Sequence, residues 1–146
     1  MTTPKIEMKD VHKRFGAKVV LDGINLSVQP GESLVIIGGS GTGKSVTIKS
    51  ILGLITTDKG SIKVDGQEVT RLTGRAREQV NAKFGMLFQA AALFDSLKVW
   101  ENVAFALIQG QGLGRAEAKK IALQKLAKVG LGPEVGELSP SELSGG

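Results

Sequence analysis

A chain of 146 residues, of which 41% are hydrophobic, is long enough to form one folded domain with an apolar core. It contains no cysteine, which excludes a disulfide framework and a thiolate metal site, and it has neither a bilayer-length apolar stretch nor a signal-peptide pattern at its start. The net charge of +5 suits phosphate-bearing ligands, but the Lys and Arg residues are spread along the chain, which favours an ordinary solvated surface and no nucleic-acid interface.

Two residues near the amino terminus are of interest. Phe15, which is followed by Gly16, can stack on a nucleotide base, although an aromatic side chain is more often part of a core. His12 is the single histidine of the chain, and we expect it to be an ordinary strand residue.

The first part of the chain, to about Gln89, is predicted to be rich in strands. Ile24, Leu26 and Val28 alternate with polar residues, which is typical of a half-buried strand. Residues 34–37 are continuously apolar, and this pattern predicts a strand that is covered on both faces.

Residues 38–45 read Gly-Gly-Ser-Gly-Thr-Gly-Lys-Ser and fit the G-x-x-x-x-G-K-[ST] pattern of a phosphate-binding P-loop. The glycines let backbone N–H groups point inward around a phosphate chain, and residues 46–52 can continue as a helix whose positive dipole end faces the same spot. Lys44 is predicted to reach the β- and γ-phosphates, and Ser45 is predicted to ligate Mg²⁺. The predicted nucleotide-binding residues of the loop are Gly38, Gly39, Ser40, Gly41, Thr42, Gly43, Lys44 and Ser45.

Two further strand patterns follow the P-loop. Ile62 and Val64 alternate before Asp-Gly at 65–66, which predicts a hairpin with a return strand over residues 67–69. Residues 84–88 form a second continuously apolar run, and Gln89 stands at its carboxyl end, where open α/β sheets place ligand contacts. These patterns predict antiparallel hairpins beside a parallel, helix-covered sheet that carries the P-loop.

The second part of the chain, residues 90–146, is predicted to be helical. Apolar residues recur at helical spacing over residues 100–108 and again over residues 118–129, which predicts two amphipathic helices. The chain ends with Leu-Ser-Gly-Gly at 143–146, and residues 139–142 before it have the spacing of a capping box.

In this order and spacing, these residues resemble the ATPase subunit of an ABC transporter. The resemblance implies that Phe15 stacks on adenine, that Gln89 contacts Mg²⁺ and the attacking water, and that Lys44 and Gln89 are the catalytic residues. The final Leu-Ser-Gly-Gly matches the start of the family's signature sequence, which implies that Ser144, Gly145 and Gly146 bind the nucleotide of a partner subunit.

The same resemblance implies an α/β fold of the P-loop NTPase type. Residues 1–89 are expected to form an antiparallel β subdomain with part of a RecA-like parallel sheet, and residues 90–146 a helical subdomain. A signature helix, a strand ending in Asp, a catalytic Glu and a switch His are expected after Gly146. We therefore expect the N-terminal part of a longer protein, which by itself does not turn over ATP.

Residues 86–89, 92–97 and 100–105 resemble more narrowly the ATPase of Mla-type systems, which move phospholipid between the membranes of Gram-negative bacteria. The implied cofactors are ATP and Mg²⁺. The implied partners are a second ATPase subunit and a membrane permease, at the cytoplasmic face of the inner membrane. The alternatives are the ATPase of another ABC importer or exporter, a soluble non-transport ABC ATPase of DNA repair or translation, a P-loop kinase or GTPase, and a nucleotide-binding or folding remnant without turnover.

Overall fold

The computed structural model describes residues 2–88 and 91–145. They form two compact units, Met1–Met86 and Leu87–Gly146, each with a hydrophobic cluster of its own. The predicted division at about Gln89 stays a prediction, since that residue lies outside the described ones. Within the described parts of the chain, we find no helix with the length and apolarity needed to cross a membrane.

The first unit is built on a four-stranded antiparallel sheet. Its strands are β1 (Ile6–Phe15), β2 (Lys18–Val28), β3 (Lys59–Val64) and β4 (Gln67–Glu68), in the order β2-β1-β3-β4. The predicted strand over residues 24–28 is confirmed as the second half of β2, and the predicted hairpin is confirmed by the pairing of β3 with β4. Both residues of its turn, at 65–66, have positive φ, as a tight two-residue hairpin loop requires.

Two short helices accompany the sheet, α1 (Lys44–Ile51) and α2 (Gly74–Asn81). The helix predicted to follow the P-loop is thus confirmed as α1. Met8, Val11 and Leu21 from the sheet and Ile51 from α1 belong to one buried cluster. The apolar face of the sheet therefore fixes the helix that carries the end of the P-loop.

The prediction of buried strands over residues 34–37 and 84–88 is wrong for this structure. Neither segment belongs to a strand of the described chain, and the side chains of Val35, Ile37 and Leu87 are 76%, 89% and 89% exposed. A strand needs a neighbour for its N–H and C=O groups, and among the described residues the only neighbours are those within the antiparallel sheet. The expected parallel sheet is accordingly not formed there.

The second unit is helical. It contains α3 (Val99–Gln109), α4 (Arg115–Lys128), the short α5 (Pro133–Gly136) and a 3-10 turn (Pro140–Glu142). The two predicted amphipathic helices are confirmed as α3 and α4. Trp100, on α3, is buried against alanines of both helices, whose small side chains let the two backbones approach. The predicted capping box is confirmed as well, since the Ser139 backbone N–H donates a 2.8 Å hydrogen bond to Glu142.

A buried arginine joins α2 to the end of α1. Arg77 is 8% exposed, and its guanidinium donates hydrogen bonds to the carbonyl oxygens of Ile51, of Leu52 at 3.2 Å and of Val69 at 3.2 Å. The last carbonyls of a helix have no partner within the helix, and a cation suits the negative end of its dipole. Arg77 therefore satisfies the C-terminal end of the P-loop helix.

We expect Arg77→Met to lower the free energy of unfolding by about 3 kcal/mol, because it leaves buried carbonyl groups without donors. Urea unfolding followed by far-UV circular dichroism measures the change. Arg75→Met is the matched control, since Arg75 is exposed on the same helix. Equal stability of the two variants would contradict the role given to Arg77.

A surface carboxylate in the second unit predicts how the stability of that unit depends on pH. Lys119 and Lys98 approach Glu137 at 2.5 and 2.6 Å, and their hydrogen bonds lower the pKa of its carboxyl from the usual 4.5 to about 2. Since the pKa is lower in the folded state, the ionised Glu137 carboxylate stabilises the folded unit. This contribution to the free energy of unfolding is present above about pH 4.5 and is lost as the pH falls towards 2. Glu137→Gln should therefore reduce the acid sensitivity of this unit between pH 4.5 and 2.

The readout is the fluorescence of Trp100, the single tryptophan of the chain, which lies in the same unit. Glu134→Gln is the control, since Glu134 lies in the short helix α5 whose C-cap residue is Glu137. An unchanged acid transition in Glu137→Gln, matching that of Glu134→Gln, would show that this ion-pair cluster does not stabilise the unit.

Candidate nucleotide-binding site

The P-loop leads directly into the N-terminus of α1. The N-cap residue of α1 is Gly43, which has φ of 100° and offers no side-chain cap. The first N–H groups of a helix have no acceptor within the helix, so without a cap they remain free to bind an anion. The positive end of the helix dipole lies at the same place. The local geometry is that of an anion-binding helix start.

Two glycines of the loop have close neighbours, and at Gly43 the neighbour is a backbone atom. A Cβ atom on Gly43 would lie 2.9 Å from the carbonyl oxygen of Val20 in β2, and its left-handed backbone conformation disfavours other residues. A Cβ atom on Gly38 would lie 2.7 Å from the hydroxyl oxygen of Thr42. The loop is therefore folded tightly on itself and packed closely against β2.

The two functional side chains predicted for the loop stand where it meets α1. Lys44 donates hydrogen bonds from Nζ to the carbonyl oxygens of Gly38 and, at 2.9 Å, of Gly39, so its ammonium is held within the loop. Ser45 is exposed in the first turn of α1. Uncapped N–H groups, a cation and an exposed hydroxyl are the groups that a triphosphate and its Mg²⁺ require, so the residues present fit such a ligand.

Phe15 lies at the end of β1 and is 48% exposed, so in this structure it is not a core residue. Lys13 places its ammonium 5.2 Å from the centre of the Phe15 ring, within the range of a cation–π interaction. The hairpin that presents Phe15 is formed by β1 and β2, and β2 also packs on the P-loop through Val20. Strand β2 therefore contacts both the strand that carries Phe15 and the P-loop.

The other predicted site residues are Gln89, Ser144, Gly145 and Gly146. Gln89 and Gly146 lie outside the described residues. Ser144 and Gly145 are exposed and belong to the second unit. Further along the chain, Ala91 and Ala92 have φ of 60° and 55°. Such values are unusual for alanine, and the sequence pattern did not indicate them.

Sequence reasoning missed one charged residue at the loop. Lys18, the first residue of β2, has its ammonium nitrogen 3.8 Å from the position that a Cβ atom on Gly41 would occupy. A lysine three residues after an aromatic residue is too common a pattern to predict such a contact. The contact depends on the tertiary packing of β2 against the P-loop.

The model of the ABC transporter family matches residues 21–146. The chain belongs to the ABC transporter family. It is 38% identical over 141 residues to the probable ribonucleotide transport ATP-binding protein mkl of Mycobacterium leprae, a match that covers 97% of this chain and 40% of that protein. It is 40% identical over 141 residues to the intermembrane phospholipid transport system ATP-binding protein MlaF of Haemophilus influenzae, covering 97% of this chain and 53% of MlaF.

A third relative, the methionine import ATP-binding protein MetN of Brucella abortus, is 39% identical over 145 residues, covering 99% of this chain and 39% of MetN. This ABC transporter chain thus spans between 39% and 53% of the length of these relatives.

The fold matches a solved ABC cassette. The dimeric, post-hydrolysis structure of the ATP-binding cassette MJ0796 bound to ADP and Pi superposes with a TM-score of 0.82 at 29% identity, covering 96% of this chain and 63% of that one. The ABC ATPase fold class predicted from the sequence is therefore confirmed, with its antiparallel sheet and its helical region.

Proposed function

We propose that this chain is part of the ATP-binding subunit of an ABC transporter, which couples binding and hydrolysis of Mg·ATP to transport. The observation that carries the proposal is the start of α1, where uncapped N–H groups, the enclosed ammonium of Lys44 and the hydroxyl of Ser45 converge. The MJ0796 cassette, which was solved with ADP and Pi, supports the proposal by its similarity.

Each residue has a separate role in this proposal. Lys44 and the N–H groups of the loop stabilise negative charge as it spreads over the γ-phosphoryl group. Ser45 and Gln89 hold Mg²⁺, which when bound neutralises phosphate charge. The exposed ring of Phe15 stacks on the adenine base.

We further propose that two subunits assemble head to tail, so that Ser144, Gly145 and Gly146 of one subunit cap the nucleotide in the P-loop of the other. Support comes from the MJ0796 cassette, which is a dimer in its solved structure. The exposure of Ser144 and Gly145 agrees with a contact to another subunit.

A membrane permease is the second partner that we propose, at the cytoplasmic face of the inner membrane. Leu93 and Phe94 are 44% and 49% exposed, and the Phe94 ring packs against that of Phe105 at 4.7 Å between centroids. A small aromatic surface of this kind, shortly after Gln89, suits the docking of an apolar segment of a permease.

For the transported molecule we propose phospholipid. The support is the 40% identity to MlaF over 141 residues and the narrower resemblance to Mla-type ATPases in residues 86–89, 92–97 and 100–105 of the sequence. Ribonucleotide and methionine, the substrates in the names of mkl and MetN, are the competing classes, because identity to those relatives is nearly as high.

We expect Lys44→Ala to weaken Mg·ATP binding about 100-fold, because a charge-assisted contact to phosphate is lost. Isothermal titration calorimetry measures the affinity, and circular dichroism checks that the fold is kept. Lys49→Ala removes a lysine from the last turn of the same helix and serves as the control. ATP affinity in Lys44→Ala equal to that in Lys49→Ala would overturn the nucleotide site.

The same variant tests the transported molecule. With Lys44→Ala introduced into the gene in its host, we expect the movement of phospholipid between membranes to stop, and uptake of methionine and ribonucleotide to continue. Loss of either uptake with normal phospholipid movement would contradict the phospholipid proposal and leave the ATP site in place.

The head-to-tail dimer is tested with a mixed dimer of Lys44→Ala and Ser144→Arg subunits. If Ser144 acts on the partner's nucleotide, both defects fall on one site and the other site consists of intact parts. We therefore expect nucleotide trapping at one of the two sites. Homodimers of each variant are the controls, and absence of trapping at both sites of the mixed dimer would show that Ser144 acts on its own subunit.

A further inference from the structure

We infer that Lys18 is a second nucleotide-binding cation, which contacts the α-phosphate between a base on Phe15 and the phosphates held by the P-loop. This inference rests on the proposed function and assigns a residue that the P-loop motif does not include. It is carried by the pairing of β1 with β2, by the packing of β2 on the loop, and by the charges around the hairpin.

Lys18 stands directly opposite Phe15. The two residues are paired across the β1–β2 hairpin and are separated along the chain only by the turn at 16–17. Residues that face each other in an antiparallel pair have Cα atoms about 5 Å apart. A molecule that stacks on the Phe15 ring therefore lies within reach of a long side chain at position 18.

The other end of the Lys18 side chain is at the P-loop. Its ammonium nitrogen lies 3.8 Å from the site of a Cβ atom on Gly41, and two residues further along β2 the carbonyl oxygen of Val20 packs against Gly43. Lys18 thus spans from the aromatic residue to the phosphate loop. In a nucleotide, the group between the base and the β-phosphate is the ribose with its α-phosphate, and only the α-phosphate carries charge.

The charges around the hairpin favour this assignment. Lys13 lies over the Phe15 ring and has a carboxylate of Asp58 at 3.7 Å, so its charge is partly compensated. Lys18 takes part in none of the ion pairs found among the described residues, and its side chain is exposed. An uncompensated ammonium beside an anion-binding loop is placed to attract a phosphate.

The experiment compares the affinities of AMP, ADP and ATP for the purified protein, measured by displacement of a fluorescent adenine nucleotide. All three ligands carry the α-phosphate, so Lys18→Met should weaken each of them by a similar factor of about 10. Lys18→Arg should restore most of the affinity. Lys44→Ala, by contrast, should weaken ATP and ADP far more than AMP, because Lys44 acts on the phosphates further from the base.

Lys9→Met, a change of an exposed lysine on the neighbouring strand β1, is the matched control and should leave all three affinities unchanged. The salt dependence gives a readout that a purely structural role would not affect: with one phosphate contact removed, the affinity of Lys18→Met for AMP should fall less steeply with ionic strength than that of the unchanged protein.

The outcomes separate this inference from the proposed function. Affinities in Lys18→Met that equal those in Lys9→Met, while Lys44→Ala still weakens ATP binding, would overturn the role of Lys18 alone. A loss confined to ATP would also overturn it, since the contact would then lie at the γ-phosphate. Nucleotide binding that is absent from the unchanged protein, or insensitive to Lys44→Ala, would overturn the proposed function itself.

Discussion

The packing of Gly43 against the carbonyl oxygen of Val20 is the constraint on which the rest of the site depends. With only 2.9 Å available where a Cβ atom would stand, the loop approaches β2 more closely than any other residue would permit. The left-handed backbone at Gly43 then starts α1 without a side-chain cap. The anion-binding helix start and the position of Lys44 both follow from this one close contact.

The helix that begins there is also fixed at its other end. Arg77 from α2 satisfies the carbonyl groups of Ile51 and Leu52 and, through Val69, ties them to the segment after β4. A short helix of eight residues has little stability of its own. Packing against the sheet and the buried arginine at the C-terminus of α1 stabilise this helix. They thereby fix the position of its N-terminus, where the phosphate site lies.

The sequence predicted the local elements of this protein well. The P-loop, the hairpin at 65–66 and the helices α3 and α4 each have a short-range cause: a motif, a turn that needs positive φ, or an apolar stripe at helical spacing. The apolar runs at 34–37 and 84–88 were wrongly predicted as buried strands, because burial of a strand depends on neighbours that are distant in the sequence. The hydrophobic pattern of a segment does not predict which other segments will be its neighbours.

By itself, the sequence determined that the chain carries a P-loop and resembles ABC ATPases, because glycine spacing and a fixed lysine specify phosphate binding locally. The tertiary structure decided which other residues lie near that loop and which hold the far end of its helix. The approach of Lys18 to Gly41 and the burial of Arg77 both arise from contacts between elements far apart in the chain. Such contacts produce no periodicity or motif in the sequence, because a single lysine or arginine on an ordinary surface has the same sequence pattern as one beside a ligand.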